Sequence, residues 1–364
     1  MTRRTNIINN VILHVLTAAT FLAVVIAANR DEVSIGIVLL YFLAGFIIDG
    51  FICTLLHELG HLIAGKCNGF AFVSMTVCFF RWAKEKKGIS FNFVMMGDEA
   101  GYTEMVAKNT ENLEKRFKRM TRGGLVTTII PMLFGAVSFF FVNDVPLFVF
   151  VLWAMFCTVG VYMFFGDALP MTSGGAGNDG KVLYGLKKQD DDSKVIMSLL
   201  KIQSELYNGK TPSEIDESYY FDLPQLAEDD LNFAMLLSAR YDYYLDKKDY
   251  ENAKKVSDRL LSIIDYLPDG YENIVKTNAL YNACTFDKNE ERADDLMYEL
   301  EKYLNRHNGS LEIRAKTAYL LYIRGEKNAL DVFYEKGVIE ANRTILRGQG
   351  IFERKLLEEL KKDF

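Results

Sequence analysis

The chain has 364 residues, of which half are apolar, and a formal net charge of −6. This length allows two or three domains. The acidic balance and the lack of a basic patch interleaved with aromatic residues argue against a nucleic-acid-binding protein. The five cysteines are scattered without the spacing of a disulfide framework or a zinc ribbon, which excludes a small disulfide-stabilised scaffold.

The average composition blends two unlike halves of the chain. Long apolar runs dominate up to about Phe165, and from about Lys187 the sequence is charged, polar and rich in tyrosine. About 20 consecutive apolar residues suffice for a transmembrane helix. We therefore predict an α-helical multi-span membrane protein with a small membrane-associated β-sheet. Its membrane domain covers residues 1–186, and an all-α soluble domain covers residues 187–364.

Four segments are predicted to span the bilayer. They cover Ile7 to Ala28, Ile35 to Gly65, Gly123 to Phe141 and Pro146 to Phe165. The first lacks a small-residue cleavage site, so we interpret it as an anchor. The second is long for one straight span, and Asp49-Gly50 near its middle predicts a bend or a helix break. Asp49 is interpreted as a local structural group, with a supporting role at a functional site as the alternative.

The second predicted span contains the stretch His57-Glu58-Leu59-Gly60-His61. Histidines four residues apart lie on one face of a helix, so both imidazoles can reach one metal ion. The H-E-x-x-H pattern is typical of zinc metalloproteases. Chance matches normally fall on exposed helices, whereas ionisable groups in an apolar segment are costly and mark function. We therefore predict His57 and His61 as zinc ligands and Glu58 as the catalytic base.

Two β-rich runs lie between the second and third predicted spans. Gly69 to Trp82 and Ile89 to Met96, joined by the turn Lys84–Gly88, predict a β-hairpin suited to the membrane surface. Gly101 to Met105 predicts a further short strand, and Asn109 to Arg122 a charged helix. An edge of the hairpin offers strand addition to a substrate, with a purely structural hairpin as the alternative.

A catalytic zinc needs a third protein ligand, and carboxylates are available after the fourth predicted span. The glycine-rich segment there contains Asp167 and Asp179. Asn178 and Gly180 flank Asp179 in a turn that would present its side chain, although Asn-Asp-Gly is also an ordinary turn and helix cap. We predict Asp179 as the third ligand, with Asp167 as the alternative.

The soluble half is predicted to be helical and contains a weak internal repeat. Short polar turns recur between helical patterns at Tyr243–Ala253, Cys284–Ala293 and Leu321–Ala329. The spacing is near that of tetratricopeptide helix pairs, with a plain helical domain as the alternative. We expect this domain to recruit or restrict substrate, to bind a protein partner or to self-associate. A second catalytic centre is not expected, because this half contains one histidine and no metal-spacing cluster.

Basic residues flank one side of the predicted spans. They are Arg3 and Arg4, the Lys84–Lys87 turn, the end of the helix before Gly123, and Lys187-Lys188. The links on the other side carry only one basic residue. The positive-inside rule then places both termini in the cytoplasm, with the metal motif near the cytoplasmic end of its span. The expected location is a bacterial plasma membrane.

Within the membrane half, the stretch from about Gly36 to Leu186 resembles the site-2 protease family of intramembrane zinc metalloproteases. The resemblance rests on the stretch from His57 to His61, on the hairpin ending in Gly101-Tyr102, and on Asp179-Gly180 after a further pair of spans. The family's second motif is an asparagine, two residues, a proline and a short loop to Asp-Gly. Here Asp167 stands in the asparagine's place, Pro170 fits, and the loop to Asp179 is longer and glycine-rich.

The motif and the resemblance together imply an intramembrane zinc metalloendopeptidase. Its substrates would be membrane-anchored proteins or peptides cut in or near their transmembrane segments, in signalling proteolysis or in processing of signal-peptide remnants or pheromones. Glu58 would take a proton from water and pass it to the leaving amine. A catalytically silent membrane scaffold of the same fold is the alternative. A transporter is disfavoured, because no inverted repeat and no chain of charges across the spans is visible.

Overall fold

The computed structural model describes residues 2–85, 88–94, 100–173, 176–267, 270–328 and 330–364. Within these ranges, three helices are long and apolar enough to cross a membrane: Ile35–Cys67, Leu113–Phe141 and Leu147–Ala168. The lengths of these helices are compatible with a membrane protein. The first predicted span falls in a helix whose apolar part, His14–Asn29, is shorter than a span. The fourth membrane crossing therefore stays a prediction.

The predicted membrane half consists of helices, a four-stranded sheet and a two-stranded sheet. Its helices are α1 (Thr2–Arg30), α2 (Ile35–Cys67), α3 (Leu113–Val137, continued by a 3-10 turn at Ser138–Phe141), α4 (Leu147–Ala168) and α5 (Asp179–Lys188). Its strands are β1 (Phe70–Val77), β2 (Phe80–Glu85), β3 (Gly88–Phe93), β4 (Gly101–Ala107), and the two-residue strands β5 (Thr172–Ser173) and β6 (Ala176–Gly177).

The helix break considered at Asp49-Gly50 and the helix boundary predicted at Arg122 are wrong. α2 runs unbroken through Asp49-Gly50, because an isolated glycine lowers helix stability without ending a helix. The predicted charged helix ending at Arg122 and the span beginning at Gly123 are one helix, α3, which also contains Pro131 in its interior. Nothing between Arg122 and Gly123 provides a cap or a turn, so the polar first turns continue directly into the apolar part.

The predicted hairpin is part of a four-stranded antiparallel sheet in the order β3-β2-β1-β4. The run from Gly69 to Trp82 is not one strand, because Cys78 adopts a left-handed conformation (φ 52°) and reverses the chain. Val77 therefore pairs with Phe80 on one side and with Gly101 on the other. Residues 86–87 of the predicted turn and residues 95–99, which include the predicted end of the second strand, lie outside the described residues.

Small residues bring α2 and α3 close together. A Cβ added to Gly60 would lie 2.8 Å from the backbone carbon of Gly123, and one added to Gly123 would lie 2.6 Å from the Cβ of Ala64. Side chains larger than hydrogen would therefore push the two helices apart. This contact fixes the distance of α3 from the H-E-x-x-H stretch on α2.

All regular secondary structure in the described residues of the predicted soluble half is helical. Its helices are α6 (Asp191–Tyr207), α7 (Ser218–Phe221), α8 (Leu231–Asp246), α9 (Tyr250–Ser262), α10 (Tyr271–Thr285), α11 (Glu290–Arg306), α12 (Ser310–Tyr319), α13 (Leu330–Ala341) and α14 (Arg347–Lys361). A π-helical turn at Leu320–Arg324 follows α12. The predicted repeat segments coincide with the α8–α9, α10–α11 and α12–α13 connections, except for Ala329, which lies outside the described residues.

The first two of these connections have the same local structure. Lys248 and Lys288 adopt left-handed conformations (φ 62° and 46°), and each is followed by a helix cap, Asp249 or Asn289. Each cap side chain accepts a hydrogen bond from the backbone N–H three residues later. Four residues after each cap, an alanine (Ala253 or Ala293) is completely buried in the same apolar core. Recurrent turn chemistry thus underlies the weak repeat in the sequence.

The two halves meet where α6 packs on the sheet. Met197 and Leu200 of α6 pack against a cluster that includes Phe70 of β1 and Met105 of β4. Beyond the end of α6, the Asn208 side chain donates a hydrogen bond to the backbone carbonyl of Lys108 (3.0 Å). α6, which follows the predicted boundary at residue 187, is therefore packed against the membrane half.

Candidate metal centre

Three ligand atoms converge inside the membrane half. His57 and His61 lie one turn apart on α2, both buried, and their Nε2 atoms are 3.0 Å apart. Asp179, the first residue of α5, places its Oδ2 atom 3.5 Å from His57 Nε2 and 3.2 Å from His61 Nε2. These are the three residues predicted from the sequence as metal ligands, and among the described residues they form a group able to hold a metal ion.

Hydrogen bonds from α3 fix the tautomer of both histidines. The Nδ1 atom of His61 lies 3.1 Å from the backbone carbonyl of Met120, which can only accept, so Nδ1 carries the proton. The Nδ1 atom of His57 lies 2.9 Å from Thr128 Oγ1, whose own proton is donated to the carbonyl of Gly124 (2.9 Å). Thr128 therefore accepts from His57. Each neutral imidazole then directs an unprotonated Nε2 atom toward Asp179.

The arrangement fits a tetrahedral zinc ion. Zinc–nitrogen bonds of about 2.0–2.1 Å in a tetrahedron separate neighbouring ligand atoms by about 3.3 Å, close to the three separations at this site. Asp179 Oδ2 is buried and, among the described residues, has no hydrogen-bond partner. Two nitrogen lone pairs and a carboxylate oxygen that face one another repel, and a cation between them removes this repulsion. A nitrogen and oxygen donor set suits zinc but also other divalent transition metals.

Close packing leaves little room beside the imidazoles. A Cβ added to Gly124 of α3 would lie 2.6 Å from His61 Cε1 and 2.8 Å from His57 Cε1. Glycine at this position lets the backbone of α3 approach both rings directly. The rings are thereby held in place by helix packing as well as by their hydrogen bonds.

Asn178 positions Asp179 relative to the end of α4. Its side-chain amide donates to the carbonyls of Gly166 (2.6 Å) and Leu169 (2.7 Å), and its oxygen accepts from the backbone N–H groups of Met171 (3.1 Å) and Lys181 (3.0 Å). The same side chain therefore caps α5 and ties it to the α4 end. The Asn-Asp-Gly sequence is a helix cap, as the sequence alternative stated, and this cap also presents Asp179 to the histidines.

The two other carboxylates considered from the sequence lie elsewhere. Asp167 Oδ2 is 3.7 Å from His57 Nδ1, on the opposite side of the imidazole from Asp179. Asp49 is completely buried, and neither of its oxygens has a hydrogen-bond partner among the described residues. It precedes His57 by eight helical residues, roughly 12 Å along α2. This position favours the local role over a supporting role at the metal centre.

Glu58 is buried beside strand β4. Thr103 Oγ1 donates to Glu58 Oε2 (2.6 Å) and lies 3.3 Å from the Glu58 backbone carbonyl. A Cβ added to Gly101 would lie 2.6 Å from Glu58 Oε1. The start of β4 therefore contacts the predicted catalytic carboxylate, and Gly101 gives the strand the close approach that this contact needs.

Sequence reasoning missed the residues that support the predicted ligands. Thr128, Thr103, Gly124 and the carbonyl of Met120 contact His57, His61 or Glu58 only because α3 and β4 pack on α2. The sequence indicates a turn at Asn178 but not the hydrogen bonds that join this side chain to the end of α4. A small-residue pair such as Gly123-Gly124 at the start of the apolar part of a helix is a weak sequence signal for close helix packing.

The chain was compared with protein-family models, with curated proteins and with solved structures, and none of them matches it.

Proposed function

We propose that this chain is an intramembrane zinc metalloprotease of the site-2 protease type. The observation that supports this most is the convergence of His57 Nε2, His61 Nε2 and Asp179 Oδ2 one residue from the buried Glu58 carboxylate. Both histidines and Glu58 lie in α2, a helix long and apolar enough to span a membrane. Buried ionisable groups are costly in such a segment and indicate function there.

The three ligand residues would hold Zn²⁺ and leave one coordination position open. When bound, the metal supplies Lewis acidity, which polarises a carbonyl group and lowers the pKa of water to about 7. Thr128 and the Met120 carbonyl keep both Nε2 atoms unprotonated and aimed at this position. This is the usual role of hydrogen-bonded groups behind metal-ligating histidines.

Glu58 would act as the proton carrier in peptide hydrolysis. Its carboxylate takes a proton from the attacking water, whose oxygen forms the new bond to the peptide carbon. The same proton then goes to the leaving nitrogen as the C–N bond breaks. Thr103, which donates to Glu58 Oε2, orients the carboxylate for this transfer.

The substrate would be a peptide segment in or near a transmembrane helix of an anchored protein. A helix hides its peptide bonds within its own hydrogen bonds, so the substrate must become extended before it is cut. β4 is an edge strand of the sheet and starts beside Glu58. We propose that the extended segment aligns along this strand by backbone pairing.

The soluble half is proposed to act on substrate selection. Its helix pairs α8–α9 and α10–α11 have the tetratricopeptide-like turns described above, and stacked pairs of this kind commonly bind peptides or partner proteins. With α1 as a fourth crossing, both termini and this domain lie in the cytoplasm, on the side of the basic flanks. The proposed location is a bacterial plasma membrane.

Glu58→Gln tests the proposal. The full chain and this variant are expressed in membranes, and zinc content and the fragments of membrane proteins are compared. The variant is expected to retain zinc, since all three ligands remain, and to lose cleavage by a factor of about 10² to 10⁴ or more. Glu111→Gln, at an exposed position before α3, makes the same change in charge and serves as the control.

Cleavage by Glu58→Gln at a rate close to wild type would contradict the mechanism. Wild-type protein that binds zinc but produces no fragments would favour the silent scaffold considered from the sequence.

A further inference from the structure

A large cavity lies between the sheet and the last two helices, away from the metal centre. Its volume is about 990 Å³. The walls come from the end of α2, from β1, β2 and β3, and from the segment that joins α13 to α14 together with α14 itself. A cavity of this size is in the upper range for binding sites of small molecules.

The cavity is strongly cationic. Six basic residues line it: Lys66, Lys84, Lys108, Arg343, Arg347 and Arg354. Among the described lining residues, Glu85 alone carries a carboxylate. Arg343 is paired with Glu340, whereas the other five basic side chains form no ion pair within the described part of the chain. The Nε atom of Arg354 is shielded from solvent and has no hydrogen-bond partner there.

This excess of positive charge indicates an anionic ligand. Like charges gathered in one cavity repel, and burial of a guanidinium N–H without a partner adds a cost. An anion with several acceptor oxygens removes both the charge repulsion and the cost of the unpartnered N–H group. Phosphate oxygens match the fork of the guanidinium groups and the point charges of the lysines.

The cavity lies at the level where a candidate membrane helix ends. Lys66 belongs to the last turn of α2, the helix that spans from Ile35 to Cys67. At the same level, Arg119 of α3 donates to Asn68 (3.3 Å), and a second basic cavity contains Lys115, Lys118, Arg119 and Arg122. Phospholipid headgroups occupy this level of a bilayer, and basic pockets beside the ends of spans bind anionic headgroups.

The cavity also has apolar walls. Ile89, 62% exposed, and Phe72 of the sheet line the same space as Ile345, in the segment before α14, and Ile351 of α14. A soluble anion uses only the charges, whereas a phospholipid places glycerol and the first acyl carbons against such side chains. An acidic peptide would leave these apolar surfaces less completely covered.

We propose that this cavity binds the phosphate headgroup of an anionic phospholipid. Lys84 and Lys108 on the sheet side and Arg347 and Arg354 on α14 would contact the phosphate from opposite walls. The lipid would thereby join the C-terminal helices to the sheet at the membrane surface. The inference rests on the membrane placement in the proposed function and is independent of the metal centre.

The experiment uses the full chain in nanodiscs of phosphatidylcholine with or without phosphatidylglycerol. Lipid retained by the protein is measured by native mass spectrometry. Wild type is expected to retain phosphatidylglycerol selectively, and Arg347→Gln/Arg354→Gln to bind it at least about tenfold more weakly, since each basic contact to an anionic lipid contributes. Lys302→Gln/Arg306→Gln, which removes two exposed cations of α11, is the matched control and is expected to behave as wild type.

Further variants and ligands distinguish a lipid from a soluble anion, and distinguish failure of this proposal from failure of the proposed function. Lys84→Gln/Lys108→Gln repeats the test from the sheet side if the arginine variant does not fold. Glu58→Gln is expected to retain the lipid as wild type does, so a chain without proteolysis still reports on this cavity. Equal retention by wild type and both cavity variants would overturn the proposal. So would binding of inorganic phosphate or polyglutamate through these residues without selective retention of phosphatidylglycerol.

Discussion

The Nδ1 atom of His57 lies 2.9 Å from the hydroxyl oxygen of Thr128, and that hydroxyl donates its own proton to the carbonyl of Gly124. The chain Gly124–Thr128–His57 has only one consistent set of proton positions. It places the proton of His57 on Nδ1 and leaves Nε2 free to bind a metal ion. A hydroxyl on α3 thus sets the chemistry of a side chain on α2.

Thr128→Val is expected to weaken zinc binding by roughly 10- to 100-fold, the usual effect of removing a group that orients a metal-ligating histidine. Valine has a similar shape but cannot accept from His57, so the ring is free to change tautomer. Competition with a chelator of known affinity measures the effect. Thr121→Val is the control, since Thr121 is also buried on α3 and its hydroxyl donates to the carbonyl of Phe117 within its own helix. Equal zinc affinity in both variants would show that Thr128 has no such role.

Asp179→Ala is expected to lose most bound zinc and all cleavage, because it removes one of three ligands. Asp167→Ala is expected to have a milder effect, because its carboxylate lies 3.7 Å from Nδ1 of His57, on the side away from the converging Nε2 atoms. Metal analysis of the two purified variants decides between them. Loss of zinc from Asp167→Ala but not from Asp179→Ala would reverse the assignment.

Gly124→Ala is expected to reduce zinc binding and cleavage severely. The added methyl would lie 2.6 Å from His61 Cε1, so the ring or the whole of α3 must move. Gly50→Ala makes the same exchange in α2, where nothing lies within 4 Å of the new methyl, and is expected to keep full activity. Zinc content and fragment yield are compared at equal amounts of folded protein. Normal zinc binding by Gly124→Ala would mean that the helices have room to adjust.

Asp242→Asn is expected to stabilise the protein at pH 8 but not at pH 4. Burial, followed by the charge of Glu353, raises the pKa of Asp242 to about 7, against about 3.9 for an unfolded chain. The folded state therefore keeps a proton that the unfolded state has released, and stability from this group is lost as pH rises from about 4 to 7. Asparagine stays neutral and still accepts from Gln349, which lies 3.0 Å away.

Above pH 7, Asp242→Asn is expected to increase the free energy of unfolding by on the order of 1–4 kcal/mol. Thermal unfolding of the detergent-solubilised chain over this pH range measures it. Asp265→Asn, at an exposed position, is the control and should show no such trend. A stability difference that stays constant with pH would contradict the prediction.

Removal of residues 209–364 is expected to preserve cleavage of a short generic transmembrane substrate while selectivity among native substrates is lost. The cut follows α6, because Met197 and Leu200 of this helix cover the sheet beside the metal centre. Cleavage of a panel of membrane substrates by the zinc-loaded truncated enzyme provides the measurement. Loss of cleavage from a folded, zinc-loaded truncated protein would show that the soluble half takes part in bond breaking.

The sequence alone predicted those features that depend on local periodicity. His57 and His61 are four residues apart on one helix, so their shared face follows from helical geometry whatever surrounds it. The β-rich runs and the polar turns at Asp249 and Asn289 are likewise short-range signals. The sequence also selected Asp179, but only as one of two carboxylates near the end of the membrane half.

Only the tertiary structure decided how distant segments meet. The chain reversal at Cys78, the contact between Thr128 and His57, and the place of Asp167 behind the imidazole depend on how helices and strands pack. Such contacts join residues up to 122 positions apart, since Asp179 reaches back to His57, and no local pattern encodes them. Close packing sets the geometry of these contacts. Gly124 has only a hydrogen atom in place of a side chain, so α3 can lie directly against the imidazole rings of His57 and His61.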